Sequence, residues 1–327
     1  MRSIALREAI REAMSEEMRR DERVLLMGEE VAEYNGAYKV SQGMLAEFGS
    51  KRVIDTPISE LGFTAVAVGA AQNGLRPIVE FMTWNFAVLP LDQILNTASK
   101  MLAMSGGQIG CPIVMRGPNG SAGQLGAQHS TAFESYLANI PGIKVVSTAS
   151  AYDAKGLLAA AMESDDPVLF LEPLKGYRLT KDEVPDERYT VPLGKLRVAR
   201  EGTDITLIAW SAAVNVAERA AEELSEKGVS VEVVDLRSLN PLDIDGISES
   251  VSKTGRVAIL HEAPLTGGFG GELVATIQQE CFYNLEAPII RISSPDTPYP
   301  LGGVEDLYIP DVDRVVAEVL ALARASA

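Results

Sequence analysis

The chain of 327 residues is 46% hydrophobic and 23% charged, as is typical of a soluble globular protein long enough for two domains. Its net charge of −16 argues against nucleic acid or an anionic membrane as the main partner, and its two widely separated cysteines argue against a disulfide framework. The amphipathic N-terminus lacks a signal-peptide core and no apolar run is long enough to span a membrane, so we expect a cytoplasmic protein.

The first half of the sequence alternates short apolar runs with helical patterns. The predicted strands are 23–29, 51–57, 76–83, 111–117, 143–150 and 167–173, and the predicted helices are 3–20, 59–73, 90–105 and 151–164. The strands are almost continuously apolar, which is typical of strands covered on both faces. Strands that alternate with helices predict a mostly parallel sheet in an α/β fold.

A polar, proline-containing stretch over 176–204 follows and predicts an extended inter-domain segment. The alternating pattern then restarts. Its strands are predicted over 205–210, 229–236, 256–263 and 288–293, and its helices over 212–227, 243–253, 271–281 and from 311. These elements predict a second, smaller α/β domain. We expect domains over 1–190 and 203–327, joined by a linker over 191–202.

In the stretch over 55–74, which begins with Asp55, Glu60 is the single acid among the apolar and small residues that follow. Ser59 is a suitable N-cap and the Asn-Gly pair at 73–74 a suitable helix end, so Glu60 falls in the first turn of a helix that we expect to be buried. One interpretation is a partly solvated acid placed favourably against the helix dipole. The other is a desolvated carboxyl with a raised pKa that exchanges a proton with a ligand.

Two further acids, Glu29 and Glu30, directly follow the predicted strand 23–29. In an open α/β sheet the carboxyl ends of the strands face the ligand crevice. Since Glu60 follows the next predicted strand, these carboxyls could share one cleft. A solvated acidic loop is the alternative.

Histidine occurs only at positions 129 and 261. His129 lies on a glycine-rich loop that leaves a strand and precedes a predicted helix, a place where a histidine can move protons near neutral pH or can simply cap and pack. His261 ends a strand of the second domain and has too few metal-ligating neighbours, which favours a structural or interface role.

Aromatic side chains at Phe81, Trp84 and Phe86 follow the predicted strand 76–83. They could hold a flat heterocycle, or they could be core residues. Signatures of P-loops, nicotinamide-binding turns, nucleophile elbows, zinc proteases and EF-hands do not occur in the sequence.

A set of motifs in one order resembles the β subunits of the thiamin-diphosphate-dependent 2-oxo-acid dehydrogenase E1 component. They are GEEVAEYNGAYKVSQG, RVIDTPISELGF, RPIVEFMTWNF, MSGG, PIVMRGPNG, AQHS, PGIKVV and AKGLL. The resemblance runs from about residue 4 to the C-terminus. The first part is most similar to the pyruvate-specific members, and the stretch over 261–289 is more similar to the branched-chain members.

The resemblance implies a parallel-sheet, transketolase-like pyrimidine-binding domain, a transketolase C-terminal-like domain and a set of site residues. Glu60 matches the glutamate that hydrogen-bonds N1′ of the aminopyrimidine and favours the imino tautomer, whose 4′-nitrogen is the base for the thiazolium C2 proton. Phe86 matches an aromatic that packs on that ring, and Glu29 an acid in a polar channel between paired sites. His129 matches a histidine on the substrate side that assists acyl transfer to lipoamide.

The resemblance also implies partners and ions. No GDG motif occurs, and in the family that motif holds Mg²⁺ and diphosphate on the α subunit, so an α2β2 heterotetramer with a shared cofactor is implied, together with an E2 acyltransferase. A structural K⁺ is implied in this subunit. Its ligands by position are Ile113, Ala161, Met162, Ser164 and Asp166. Many relatives carry an acid in place of Ser164 and Asn in place of Asp166.

We therefore predict the β subunit of a pyruvate-specific E1 component that carries out oxidative decarboxylation and reductive acylation of E2 lipoamide. The alternatives are a branched-chain or acetoin-type relative with the same cofactor chemistry and, from another class, a non-catalytic α/β partner subunit.

Overall fold

The computed structural model describes residues 1–324, which form two compact units. The first comprises Met1–Asn119 and Tyr136–Leu193, and the second comprises Gly120–Ser135 and the chain from Gly194 onward. Residues 120–135, which the predicted domain over 1–190 includes, therefore cluster with the second unit. The predicted linker over 191–202 stays a prediction.

The strands lie close to the predicted positions. In chain order they are β1 (Arg2–Ala5), β2 (Val24–Gly28), β3 (Val53–Asp55), β4 (Arg76–Glu80), β5 (Val114–Pro118), β6 (Lys144–Ser147), β7 (Val168–Glu172), β8 (Lys181–Val184), β9 (Arg197–Arg200), β10 (Ile205–Ala209), β11 (Val231–Asp235), β12 (Ser238–Asn240), β13 (Val257–Pro264) and β14 (Ile290–Ser294). All ten predicted strands are confirmed, and each keeps the apolar run that identified it.

The helices alternate with the strands. In chain order they are α1 (Leu6–Arg20), α2 (Met44–Phe48), α3 (Glu60–Gln72), α4 (Met101–Met104), α5 (Glu134–Ala138), α6 (Ala151–Glu163), α7 (Gly176–Leu179), α8 (Ala213–Glu226), α9 (Ile244–Thr254), α10 (Gly270–Cys281) and α11 (Val312–Ala323). Short 3₁₀ turns occur at Trp84–Val88, Ala127–His129, Phe282–Asn284 and Gly302–Leu307, and a π-helical turn at Gln93–Ala98.

The first unit is built on a parallel sheet in which six strands lie in the order β6-β7-β5-β4-β2-β3. Helices α1 and α6 pack on each other and join one hydrophobic cluster with the strands, while α3 packs against β4 and β2. The second unit has the order β14-β13-β10-β11-β9, parallel except for β9. The predicted two-domain α/β fold is confirmed.

Three local predictions need correction. The helix expected from residue 3 begins at Leu6, because residues 2–5 pair antiparallel with β8. The helix expected over 90–105 is interrupted by the π-helical turn, where the Ser99 hydroxyl donates to the Leu95 carbonyl at 2.6 Å and so competes with regular helical pairing. The segment over 176–204 is not wholly extended, since it contains α7, β8 and β9.

Helix α3 has the predicted bounds, but only one face of it is buried. Phe63, Ala67 and Val68 pack inward, whereas Val66 is 62% exposed, Leu61 is about half exposed and the preceding Ile58 is 83% exposed. The sequence is apolar all round, and the single chain offers a neighbour to one side of the helix alone. The prediction of a fully buried helix is therefore wrong for this chain by itself.

Candidate active site

Glu60 is the first residue of α3 and is 5% exposed. Ser59 occupies the N-cap position, although its side chain makes no capping hydrogen bond. The carboxyl therefore lies at the positive end of the helix dipole but out of water. Burial excludes the solvated first-turn interpretation and confirms that Glu60 is desolvated.

Glu29 directly follows the carboxyl end of β2 and is 6% exposed. Burial, repulsion by the Glu60 carboxylate and a hydrogen bond to that carboxyl together raise the pKa of Glu29 from 4.5 to about 7. Its Oε1 atom is buried and has no hydrogen-bond partner among the described residues. Glu29 and Glu60 therefore interact directly, and Glu29 can hold a proton near neutral pH. That the two carboxyls form one functional site stays a prediction.

The loop after β2 is fixed by Asp55, the last residue of the neighbouring strand β3. Its carboxylate accepts hydrogen bonds from the backbone N–H groups of Ala32 at 2.7 Å and Glu33 at 3.1 Å. At Gly28 a Cβ would meet the Glu80 carbonyl oxygen at 2.5 Å, so the strand ends with no room for a side chain. The sequence did not lead us to predict this role of Asp55, although its position as an acid near the end of a predicted strand could have indicated it.

A buried charged ladder crosses three neighbouring strands at the same end of the sheet. The fully buried Arg116 guanidinium lies between the carboxylates of Glu80 and Glu172, and Tyr177 donates its hydroxyl to Glu172. Burial is the main reason why the pKa of Glu80 is raised, and repulsion from Glu172 adds to it while Arg116 opposes it. Two buried carboxyls thus share one permanent cation, so this end of the sheet carries more acidic than basic groups.

The three aromatic residues after β4 have different environments. Phe81 and Trp84 are fully buried, and their rings meet edge to face with centroids 5.2 Å apart. They are core residues. Phe86 lies in the turn Trp84–Val88 and is only half-buried. It is therefore the least buried of the three aromatic residues.

His129 ends the short turn Ala127–His129 and is half-buried, five residues before α5 begins. His261 is 1% exposed and its ring stacks on Trp210 with centroids 5.4 Å apart. Burial, with a smaller effect of the Arg291 charge, lowers the pKa of His261 to about 4. His261 is thus a neutral core residue, in agreement with the structural role predicted for it.

The carbonyl oxygens of the five residues predicted as K⁺ ligands already accept hydrogen bonds. Arg76 donates to the carbonyls of Met162 at 2.8 Å and Ser164 at 2.7 Å. Lys144 lies 2.9 Å from the Ser164 hydroxyl and 3.1 Å from the Asp166 carboxylate. Two permanent cations therefore serve this cluster of oxygens, and K⁺ binding stays a prediction.

Other site types find little support within residues 1–324. No three His, Cys, Asp or Glu side chains there form a group that could hold a metal ion. Both cysteines are free and buried, and burial raises the pKa of Cys111 to about 12. None of the helices described is long and apolar enough to cross a membrane.

Comparison with known proteins assigns both units to one class. The transketolase pyrimidine-binding domain model matches residues 2–180, and the transketolase C-terminal domain model matches residues 194–315. A solved structure of a split-gene transketolase, an inactive β4 tetramer, superposes with a TM-score of 0.82 over 99% of both chains at 22% identity. The two domain matches and the fold thus define a two-domain transketolase-like protein.

Relatives at higher identity narrow the assignment. The pyruvate dehydrogenase E1 component subunit beta of Rhizobium meliloti (strain 1021) is 48% identical over 98% of this chain and 70% of the relative. The subunit of Rickettsia bellii (strain RML369-C) is 49% identical over 97% of both chains, and the mitochondrial beta-2 subunit of Oryza sativa subsp. japonica is 47% identical over 96% of this chain and 85% of the relative. The chain therefore belongs to the family of pyruvate dehydrogenase E1 component β subunits.

Proposed function

We propose that this chain supplies the pyrimidine half of a thiamin-diphosphate site that decarboxylates pyruvate oxidatively and passes the acetyl group to an E2 lipoyl group. The observation that carries the proposal is the buried pair of Glu29 and Glu60. Two neighbouring carboxyls that are withdrawn from water are costly unless a ligand uses them. In a chain of this family, the ligand that fits is the aminopyrimidine.

The residues of the first unit fit the pyrimidine end of the cofactor. Glu60 would hold N1′, the ring of Phe86 would pack on the aminopyrimidine, and Glu29, with one carboxyl oxygen buried and without a partner, would retain a polar connection to Glu60. Thiamin diphosphate supplies, when bound, the carbon centre that adds to the 2-oxo group and accepts the electron pair left by CO₂.

The chain's own residues then hold and transfer protons. Glu60 shares a proton with N1′ from a site that excludes water, which strengthens the hydrogen bond. Glu29 has a pKa of about 7, so it can hold or release a proton near neutral pH. His129, on its glycine-rich loop, assists acyl transfer to the lipoyl group.

The diphosphate end requires a second chain, because the sequence has no GDG motif for Mg²⁺. The exposed apolar residues at the start of α3 and along it support this proposal, since Ile58, Leu61 and Val66 are large apolar side chains that the single chain leaves exposed. We place the α subunit of an α2β2 heterotetramer there, with Mg²⁺ on that subunit. The second unit would carry the docking surface for E2, and K⁺ in the Met162–Asp166 region is a further proposal.

Calorimetry tests the divided site. Thiamin diphosphate with Mg²⁺ is titrated into this chain alone and into its mixture with a candidate α subunit that carries GDG and NN motifs. We expect binding by the mixture only. Tight binding by this chain alone would mean that it holds diphosphate itself, which would contradict the divided site.

Turnover of pyruvate against 3-methyl-2-oxobutanoate by the reconstituted complex tests the substrate. The names of the relatives support pyruvate. A preference for the branched substrate would instead favour the branched-chain alternative. A complex that assembles but turns over neither would favour the non-catalytic alternative.

A further inference from the structure

The loop that carries His129 is attached to the second unit by carboxylates. Residues 120–135 cluster with that unit rather than with the strand β5 that precedes them. The loop makes few regular backbone hydrogen bonds, and the regular structure described in it before α5 is the short 3₁₀ turn Ala127–His129. Its conformation must therefore be fixed largely by side chains from elsewhere in the second unit.

Glu305 provides the principal attachment. It lies in the turn Gly302–Leu307 and is 1% exposed. One carboxylate oxygen accepts the Gln124 backbone N–H at 2.6 Å, and the other accepts the Ser121 hydroxyl at 2.7 Å. The Ser121 hydroxyl in turn accepts from Tyr299 at 2.8 Å. Hydrogen bonds to a buried carboxylate are about twice as strong as neutral ones, so Glu305 clamps both positions firmly.

The backbone at the clamp is strained. Gln124 has a φ of 71°, in the left-handed region that non-glycine residues rarely adopt. Such a conformation costs on the order of 1–3 kcal/mol and persists only where its surroundings impose it. The Gln124 N–H is the group that Glu305 holds, so the carboxylate stabilises the residue in this conformation.

Two further contacts fix the loop on either side of His129. The Ser121 N–H donates to a Glu262 carboxylate oxygen at 3.2 Å, and the Trp210 indole donates to Glu134 at 2.9 Å. His129 thus lies midway between a clamp at residues 121–124 and an anchor at residue 134. The loop is therefore held both before and after His129.

We propose that Glu305 is a positioning residue, which sets the place of the His129 imidazole by clamping the loop at Ser121 and Gln124. The inference rests on the role of His129 in the proposed function. Glu305 does not touch substrate. It acts through the loop, and its loss allows the imidazole to move. Displacement of a catalytic group by about 1 Å can cost on the order of 100-fold in rate.

A double-mutant cycle in the reconstituted holoenzyme tests the proposal. We measure acetyl transfer to a lipoyl domain for Glu305→Ala, His129→Ala and the double variant, and backbone hydrogen exchange over residues 121–129. We expect Glu305→Ala to lose about 10- to 100-fold in kcat. In the His129→Ala background the same change should cost less than about threefold, because the group that it positions is already gone. Exchange over 121–129 should become faster.

Matched variants complete the test. Glu305→Gln keeps one acceptor and should retain most of the activity, while Glu226→Ala removes an exposed carboxyl of the same unit and should have no effect. If Glu305→Ala does not assemble, Ser121→Ala, which deletes one clamped hydroxyl, should give a smaller loss that again vanishes without His129. Equal losses in both His129 backgrounds, or unchanged exchange in Glu305→Ala, would overturn the proposal. A wild-type complex that transfers no acetyl group would instead refute the proposed function, and exchange alone would still decide whether the clamp exists.

Discussion

Replacement of Glu29 by Gln should stabilise this chain at alkaline pH and leave it unchanged at acidic pH. The side chain is buried beside Glu60, and its pKa rises from 4.5 to about 7 on folding. Below pH 4.5 the carboxyl is protonated in both the folded and the unfolded chain. Between pH 4.5 and 7 the unfolded chain releases a proton that the folded chain retains, so stability falls as pH rises.

The magnitude follows from that rise in pKa. At about 1.4 kcal/mol per pH unit, the charged Glu29 costs the folded chain about 3 kcal/mol once the pH exceeds 7. Gln has the same shape and carries no charge, so Glu29→Gln removes this cost. For a unit of this size, about 3 kcal/mol corresponds to roughly 6–12 °C in Tm.

Scanning calorimetry of the isolated chain at pH 4.5 and pH 8.5 measures the effect. We expect Glu29→Gln and wild type to have the same Tm at the lower pH, and the variant to melt several degrees higher at pH 8.5. The neighbouring Glu30 is exposed, so Glu30→Gln is the matched control and should change little at either pH. A difference between Glu29→Gln and wild type that does not depend on pH would refute the reasoning, because the buried charge would then not be its cause.

Two further predictions concern stability and assembly. Arg116→Met leaves two buried carboxylates without their cation and should lower the free energy of unfolding by about 3–5 kcal/mol. The control Arg19→Met removes an exposed ion pair and should cost at most about 1 kcal/mol. Urea denaturation measures both, and similar small losses for the two variants would contradict the importance of the buried Arg116 ion pairs. Val66→Asp should leave the Tm of the chain unchanged but prevent its co-purification with the α subunit. The control Leu179→Asp, also at an exposed apolar site, should still co-purify. Normal assembly of Val66→Asp would exclude this face of α3 from the interface.

Much of the fold could be predicted because its signals are local. Each strand of the parallel sheet is a short apolar run, and α3 has a clear start and end at Ser59 and Asn73. The site acids could be found by the same means, since Glu60 is the single acid in an apolar stretch and Glu29 follows a strand end. Neither inference requires knowledge of which strands are neighbours.

The remaining features depend on contacts between distant parts of the sequence. Arg116 meets Glu80 and Glu172 only because β5 lies between β4 and β7. Glu305 holds Ser121 across 184 positions of sequence. The exposed face of α3 could not be distinguished from a core face, because side chains that await a partner and side chains already buried have the same apolar composition.

The central claim is that Glu60 acts on the cofactor rather than on the fold. The most direct test is Glu60→Gln in the complex reconstituted with the α subunit, with acetyl transfer, thiamin diphosphate binding and heterotetramer mass measured on one preparation. We expect activity to fall by at least about 100-fold, the magnitude of a lost proton-transfer group, while the heterotetramer forms normally and still binds the cofactor. Activity within about twofold of wild type, or a variant that fails to assemble, would contradict the claim, because Glu60 would then serve packing and not chemistry.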